Sequence, residues 1–175
     1  MSDVLARILE RVRPNTTALE FGVYKGNTLR MIAERMPVYG FDSFEGLPED
    51  WRKGFERGTF ACDLPEGLPD NASIIPGLFQ DTLPNAPLGD IDIGLVHVDC
   101  DLYSSAALVL KFVGPRLKAG TYIVFDEFHG YPGASAKGGE WLAWNDYVAA
   151  AKQYGGCLSY QIADIGPEQL AVRIL

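Results

Sequence analysis

Two apolar runs, DIGLVHVD (92–99) and TYIVFDEF (121–128), constrain this chain more than any other feature. Runs that are apolar almost throughout need cover on both faces, as central strands of a parallel sheet do. Between them lies YSSAALVLKFVGPRL, whose apolar positions recur at helical spacing. Strand, helix and strand in that order make a right-handed crossover unit, and a chain that repeats it folds as a doubly wound α/β sheet.

The repeat is visible elsewhere. Val4, Leu5, Ile8, Leu9 and Val12 share one helical face, with Ser2 or Asp3 as a cap and Pro14 as a stop. TALEFG (17–22) predicts a strand and NTLRMIAERMP (27–37) a helix. VYGFDSF (38–44) and SIIPGLF (73–79) predict two further strands, and GEWLAWNDYVAAAK (139–152) a last helix. SYQIADIG (159–166) and EQLAVRIL (168–175), joined at Gly166-Pro167, predict a terminal hairpin and antiparallel character at one edge. The stretch 45–72, rich in Pro, Gly and mixed charge, reads as a long surface loop over a site. At 175 residues the expectation is a single domain, 1–175.

Composition removes several function classes. The formal charge of −8 disfavours nucleic acid and anionic membranes as partners. Three cysteines, Cys62, Cys100 and Cys157, without a C-x-x-C pair, point to free thiols in a reducing compartment, and two histidines make a zinc site improbable. No apolar run is long enough for a membrane span, so the expected location is the cytoplasm.

In a doubly wound sheet ligands sit beyond the carboxyl ends of the strands, and there this sequence is polar. The first strand ends in Glu20, Gly22, Tyr24 and Gly26, where glycines admit a ligand to the backbone and Glu20 suits an ammonium group. Twenty positions after Gly22, Asp42 ends the second strand, where a carboxylate accepts from ribose hydroxyls. Phe79 offers a face to a planar base, and Gln80 an adenine-reading amide. Asp99 ends the fourth strand and Asp126 and Glu127 the fifth. Three carboxylates on neighbouring strands need a shared proton or a hard divalent cation, and both readings stay open at this level. His97, inside an apolar strand, reads as a satisfied core residue, and His129, beyond the strand, as the better acid/base candidate. Trp51, Trp141, Trp144 and Tyr131 either line an aromatic pocket or pack, the helical spacing of Trp141 and Trp144 favouring packing.

Taken in order, ALEFGVYKGNTL, VYGFDSFEGLPE, GLFQDTLP, VHVDCDLYSS and VFDEF resemble the class I S-adenosylmethionine-dependent methyltransferases, most closely the macrocin O-methyltransferase family. The resemblance implies a Rossmann-like, seven-stranded, mostly parallel sheet with an antiparallel C-terminal hairpin. It implies S-adenosylmethionine as cofactor, with Glu20, Gly22 and Gly26 on its methionine part, Asp42 on the ribose and Gln80 on the adenine side. Tyr24, Thr28, Ser43, Phe79 and Asp99 complete the candidate cofactor-binding set. Asp99, Asp126 and Glu127 match the family's metal ligands, with Mg2+ as the cation if one binds, although Glu127 is longer than the family's usual Asp or Asn. Asp99 and His129 are the candidate catalytic residues. The leading expectation is methyl transfer to a hydroxyl of a small-molecule acceptor such as a sugar, phenol or polyketide, a homodimer being left open. The alternatives are an NAD-dependent oxidoreductase, which the glycine-to-Asp42 spacing also fits although G-x-G-x-x-G is missing, and a non-catalytic nucleoside-binding protein.

Overall fold

The computed structural model describes residues 3–131, 138–153 and 158–175. Its chain runs α1 (Asp3–Leu9), β1 (Thr17–Phe21), α2 (Asn27–Ala33), β2 (Val38–Asp42), β3 (Ala72–Pro76), α3 (Phe79–Thr82), β4 (Ile93–Val98), α4 (Tyr103–Val113), β5 (Tyr122–Phe125), α5 (Gly139–Gln153), β6 (Tyr160–Ile165) and β7 (Leu170–Ile174). The predicted cap residue Ser2 and the thiol of Cys157 lie outside the described residues.

The seven strands form one sheet in the order β3-β2-β1-β4-β5-β7-β6. The first five are parallel, and β7 enters antiparallel between β5 and β6, as the terminal hairpin required. Side chains alternate across the sheet. Leu19, Phe21, Val96, Val98, Ile123 and Phe125 pack on one face with Ala106, Val109 and Leu110 of α4 and Ala143, Trp144 and Val148 of α5. Ala18, Leu95 and Val124 pack on the other with Val4, Leu5 and Ile8 of α1 and Leu29 and Ile32 of α2. β4 and β5 are buried along their full length, which is why they read as continuous apolar runs.

Strand order reverses between β1 and β4, the place where a crevice opens beyond the strand ends. Hydrogen bonds continue past the last strand residues and hold those ends in register. Gly22 donates to the Phe41 carbonyl, Asp99 to Phe21, and Asp126 to Val98. One rim therefore carries the residues that follow β1, β2, β4 and β5. No helix among the described residues is long and apolar enough to cross a membrane.

Candidate active site

A cavity of about 630 Å³ opens on that rim, lined by Gly22, Tyr24, Asp42, Ser43, Phe79, Gln80, Asp99, Asp126 and Glu127 among others. The backbone leaves β1 through Gly22, whose φ of +94° belongs to the left-handed region, and a Cβ there would stand 1.8 Å from the Asp99 carbonyl oxygen. Only glycine fits that turn, so β1 and β4 approach each other closely beneath the cavity.

Asp42 organises the next part of the wall. Its Oδ2 accepts from the N–H groups of Val23 and Tyr24, both at 2.8 Å, and its Oδ1 accepts from Phe44 N–H at 2.8 Å. Tyr24 and Phe44 both have positive φ, and charge-assisted bonds to one carboxylate hold these two tight turns together. Oδ1 keeps acceptor capacity toward the cavity.

The loop predicted over 45–72 does cover a site. Gly46 to Glu49 and Phe60 line the cavity. Gly46 (φ +80°) passes so near the Gly58 and Thr59 carbonyls that a Cβ would lie 2.4 Å from each. Ser104 of α4 donates from Oγ to Glu49 Oε1 at 2.5 Å and ties the loop across the opening.

The acidic rim is built differently. Asp99, Asp126 and Glu127 each offer an oxygen, and these oxygens lie within 4.8 Å of one another. Burial and the charge of Asp126 push Asp99 up to about 8 against the opposing pull of His97. Burial and the charges of Asp99, Glu140 and Asp101 push Glu127 up to about 11. Burial pushes Asp101 up to about 6, with the Arg52 guanidinium partly offsetting it. Asp126 goes the other way. Burial would raise it, but His97 beside it holds its carboxyl below the usual range.

His97 and Glu20 are cross-strand neighbours on β4 and β1, both fully buried. His97 Nδ1 lies 3.0 Å from Glu20 Oε1, and Nε2 faces Asp126 Oδ1 at 3.8 Å, too long for a hydrogen bond but close enough for attraction. Burial would lower the His97 pKa, yet Asp126 and Glu20 hold it well above its ordinary value. His97 is thus a core residue, as its place in β4 suggested, but only half satisfied: Nδ1 meets Glu20, while Nε2 is buried without a hydrogen-bond partner.

Four predicted site residues do not line the cavity: Glu20, Gly26, Thr28 and His129. Glu20 places Oε1 against His97 inside the sheet, and its Oε2 is buried without a hydrogen-bond partner. Gly26 is the N-cap of α2, and Thr28 lies in the first turn of that helix. His129 is drawn aside because its N–H, like that of Phe128, donates to the Glu168 carbonyl, which turns the chain toward the terminal hairpin. Trp51, Trp141, Trp144 and Tyr131 do not line the cavity either, and its aromatic wall is Tyr24, Phe60 and Phe79. Trp144 packs on Phe125 and Tyr160, and Trp51 on Phe55 and Tyr131.

Two acids fall outside the candidate site set. Asp101, in the cavity wall with φ +61°, carries a signal in the string D-C-D, two carboxylates flanking one residue at a strand end. Glu140 carries none, since a Glu in the first turn of a helix is ordinary, yet it is fully buried and accepts from Cys100 N–H at 3.1 Å.

Oxygens Oε2 of Glu127 and Glu140 are buried without a hydrogen-bond partner. Oxygen donors at this spacing, with two orphaned and with Asp99, Asp101 and Glu127 pushed up by burial and then by neighbouring carboxyls, fit a hard divalent cation. Asp99, Asp126 and Glu127 are the residues that would hold it.

Comparison with known proteins bears on the same residues. The family model described as a methyltransferase domain matches residues 19–128. The chain is 28% identical over 137 residues to the 8-demethyl-8-(2,3-dimethoxy-alpha-L-rhamnosyl)-tetracenomycin-C 4'-O-methyltransferase of Streptomyces olivaceus, covering 63% of this chain and 52% of that protein. It is 26% identical over 139 residues to the mycinamicin III 3''-O-methyltransferase of Micromonospora griseorubida, covering 63% of this chain and 54% of that one. It thus spans about half the length of these relatives. Among solved structures, the O-methyltransferase NovP superposes with a TM-score of 0.72 at 21% identity, covering 98% of this chain and 78% of that one. The calicheamicin methyltransferase CalS11 gives 0.68 at 22% identity, covering 98% and 76%. The fold is therefore the Rossmann-like methyltransferase fold with its antiparallel C-terminal hairpin, and over the region that carries the cavity the chain belongs to the methyltransferase domain family.

Proposed function

We propose that this chain binds S-adenosylmethionine as one domain, 1–175, and transfers its methyl group to a hydroxyl of a small molecule, in the manner of the antibiotic-tailoring O-methyltransferases it is similar to. The observation that carries the reading is the charge of the cavity. Asp42, Glu49, Asp99, Asp101, Asp126 and Glu127 line it, with no Lys, Arg or His among the described lining residues. With Asp126 held ionised beside His97, and with acceptor oxygens but no cationic side chain in the described wall, the cavity suits a sulfonium and an ammonium better than the diphosphate of NAD even while Asp99 and Glu127 keep their protons, which weighs against the oxidoreductase alternative.

When bound, S-adenosylmethionine supplies the electrophilic methyl group, and a divalent cation supplies positive charge that lowers the pKa of an acceptor hydroxyl. The chain does the rest. Asp42 offers the free acceptor capacity of Oδ1 to the ribose hydroxyls, and Gln80 and Phe79 lie where an adenine would be met. Asp99, Asp126 and Glu127 hold the cation, and Glu20 acts from behind through His97 rather than on the cofactor. Asp101, a cavity carboxylate with a pKa of about 6, takes the hydroxyl proton as the oxygen–carbon bond forms and the carbon–sulfur bond breaks. It replaces His129 in the role of base, while Asp99 contributes through the cation. The tied loop with Glu49 and Phe60 excludes water from the acceptor side. A cytoplasmic setting agrees with the free thiols of Cys62 and Cys100.

Calorimetry with S-adenosylhomocysteine and with NAD, followed by transfer of labelled methyl to a panel of hydroxylated glycosides, phenols and polyketides, tests the reading. Binding of S-adenosylhomocysteine and labelling of one acceptor class support it. Tight binding of NAD without S-adenosylhomocysteine overturns it, and binding without labelling of any acceptor favours a non-catalytic protein. Transfer that survives exhaustive chelation removes the cation from the mechanism.

A further inference from the structure

The segment Asp99-Cys100-Asp101 leaves β4 and carries a metal-ligand candidate and the base candidate on either side of one residue. It has little regular structure of its own. Leu102 N–H turns back to the Cys100 carbonyl at 2.5 Å, and Asp101 adopts φ +61°, so the segment is a tight, irregular turn. A single peptide unit, Asp99 C=O to Cys100 N–H, is gripped from two sides. Its carbonyl lies against the bare Cα of Gly22, leaving no room for a Cβ, and its N–H donates to Glu140 Oε1 at 3.1 Å. Glu140 is fully buried, and its other oxygen, Oε2, has no partner although Asp99, Asp101, Asp126 and Glu127 all act on it electrostatically. A buried carboxyl beside four other acids is among the most costly groups a fold can retain. The fold also offers a neutral way to present the same acceptor, a Gln.

We propose that Glu140 is a positioning residue: by accepting from Cys100 N–H it fixes the turn that aims Asp99 at the cation and Asp101 at the acceptor hydroxyl. It holds that turn against Gly22, so that β1, the end of β4 and α5 act as one jaw. This rests on the methyltransferase reading for the roles of Asp99 and Asp101. The grip itself is a property of the chain alone.

Two variants separate acceptor geometry from charge without introducing an apolar side chain. E140D keeps the carboxylate but withdraws it by one methylene. E140Q keeps the reach and the oxygen but cannot ionise. In the full-length protein without divalent cation, exchange of the Cys100 amide is followed by NMR, and affinities for Mn2+ and for S-adenosylhomocysteine are then measured by calorimetry. Positioning requires E140D to speed Cys100 amide exchange about tenfold or more and to weaken Mn2+ about 10–100-fold, the usual effect of removing support behind a ligand. S-adenosylhomocysteine affinity stays within about threefold, and E140Q stays near the wild type in all three. Wild-type exchange in E140D overturns the proposal, as does an E140Q variant that loses as much as E140D, because charge rather than reach would then be what matters. If the wild type itself binds no Mn2+, the cation reading fails, while the Cys100 amide still decides for or against Glu140 in the same way.

Discussion

Two acidic regions face each other across the cavity and are built on opposite principles. At the β2 end, Asp42 receives three backbone N–H bonds, all at 2.8 Å, so its charge is met by the fold itself. At the β4 and β5 ends, Asp99, Asp126, Glu127 and Glu140 crowd together with orphaned oxygens, and burial first, then mutual repulsion, pushes all of these carboxyls up except Asp126, which His97 holds down. The first region is finished when the chain folds, and the second keeps buried acceptor oxygens that the fold leaves unpaired. Structure around Asp42 therefore resists substitution for reasons of stability, and structure around Asp99 for reasons of chemistry.

The largest effect that would break this contrast is on rate. Asp101→Asn should lower methyl transfer about 10²–10⁴-fold while leaving S-adenosylhomocysteine affinity within about threefold, since it removes a proton acceptor and little binding. Loss of cofactor affinity of the same size would place Asp101 in the finished half of the site. Asp42→Ala should behave in the reverse way. Hydrogen bonds to a charged acceptor contribute about 1.5–3 kcal/mol each, and their removal should lower stability by about 2–4 kcal/mol in urea unfolding and weaken S-adenosylhomocysteine about tenfold to a hundredfold. A variant with unchanged stability and affinity would leave Asp42 without either role.

A smaller effect distinguishes the two halves by pH. Asp99, at about 8, and Glu127, at about 11, keep protons in the folded state that they release on unfolding near pH 4. His97, held well above its ordinary value, likewise binds its proton more tightly when folded. The folded protein then carries more protons than the unfolded chain, so without divalent cation stability falls as pH rises from about 5 to about 8, by about 1.4 kcal/mol per unit for Asp99 and for Glu127, His97 adding to the slope only above about pH 6.5, where the unfolded imidazole loses its proton. The lowered Asp126 works oppositely, but only below its ordinary carboxylate range. Urea midpoints across this interval, with and without Mg2+, measure the slope, which the cation should flatten. A slope of the opposite sign would mean that the rim is ionised and already compensated. Smallest of all, His129→Ala should leave transfer within about threefold, and a larger loss would show that the loop after β5 reorganises over the acceptor.

Strands were legible where burial on both faces imposes a continuous apolar run, as in β4 and β5, and where a Gly-Pro turn joins two alternating runs, as in the hairpin. The cavity's acids were legible because strand ends in this architecture converge, so position along the chain predicted proximity for Asp42, Asp99, Asp126 and Glu127. What position along the chain did not convey was the direction of side chains. Glu20 belongs by alternation to the α1 and α2 face of the sheet, where it finds His97 on the neighbouring strand, and sequence position next to a glycine turn hides that. His129 follows an acidic strand end but is carried away by backbone bonds to Glu168, a residue distant in sequence. Glu140 is the extreme case, because only the packing of α5 against α4 and the sheet brings it to Cys100.

The antiparallel entry of β7 bears on how the protein comes into being at the ribosome. β5 has β4 on one side as soon as both have emerged, but its other neighbour is Leu170–Ile174, translated after α5 and β6. The same late segment brings the Glu168 carbonyl that receives Phe128 and His129, and the Gln169 amide that donates to Asp126 Oδ1 at 3.4 Å. Until translation has passed these residues, the turn bearing Asp126 and Glu127 lacks half its support. The acidic rim thus depends on a segment translated well after it, whereas the bonds that hold Asp42 all come from Val23, Tyr24 and Phe44 close by in the chain.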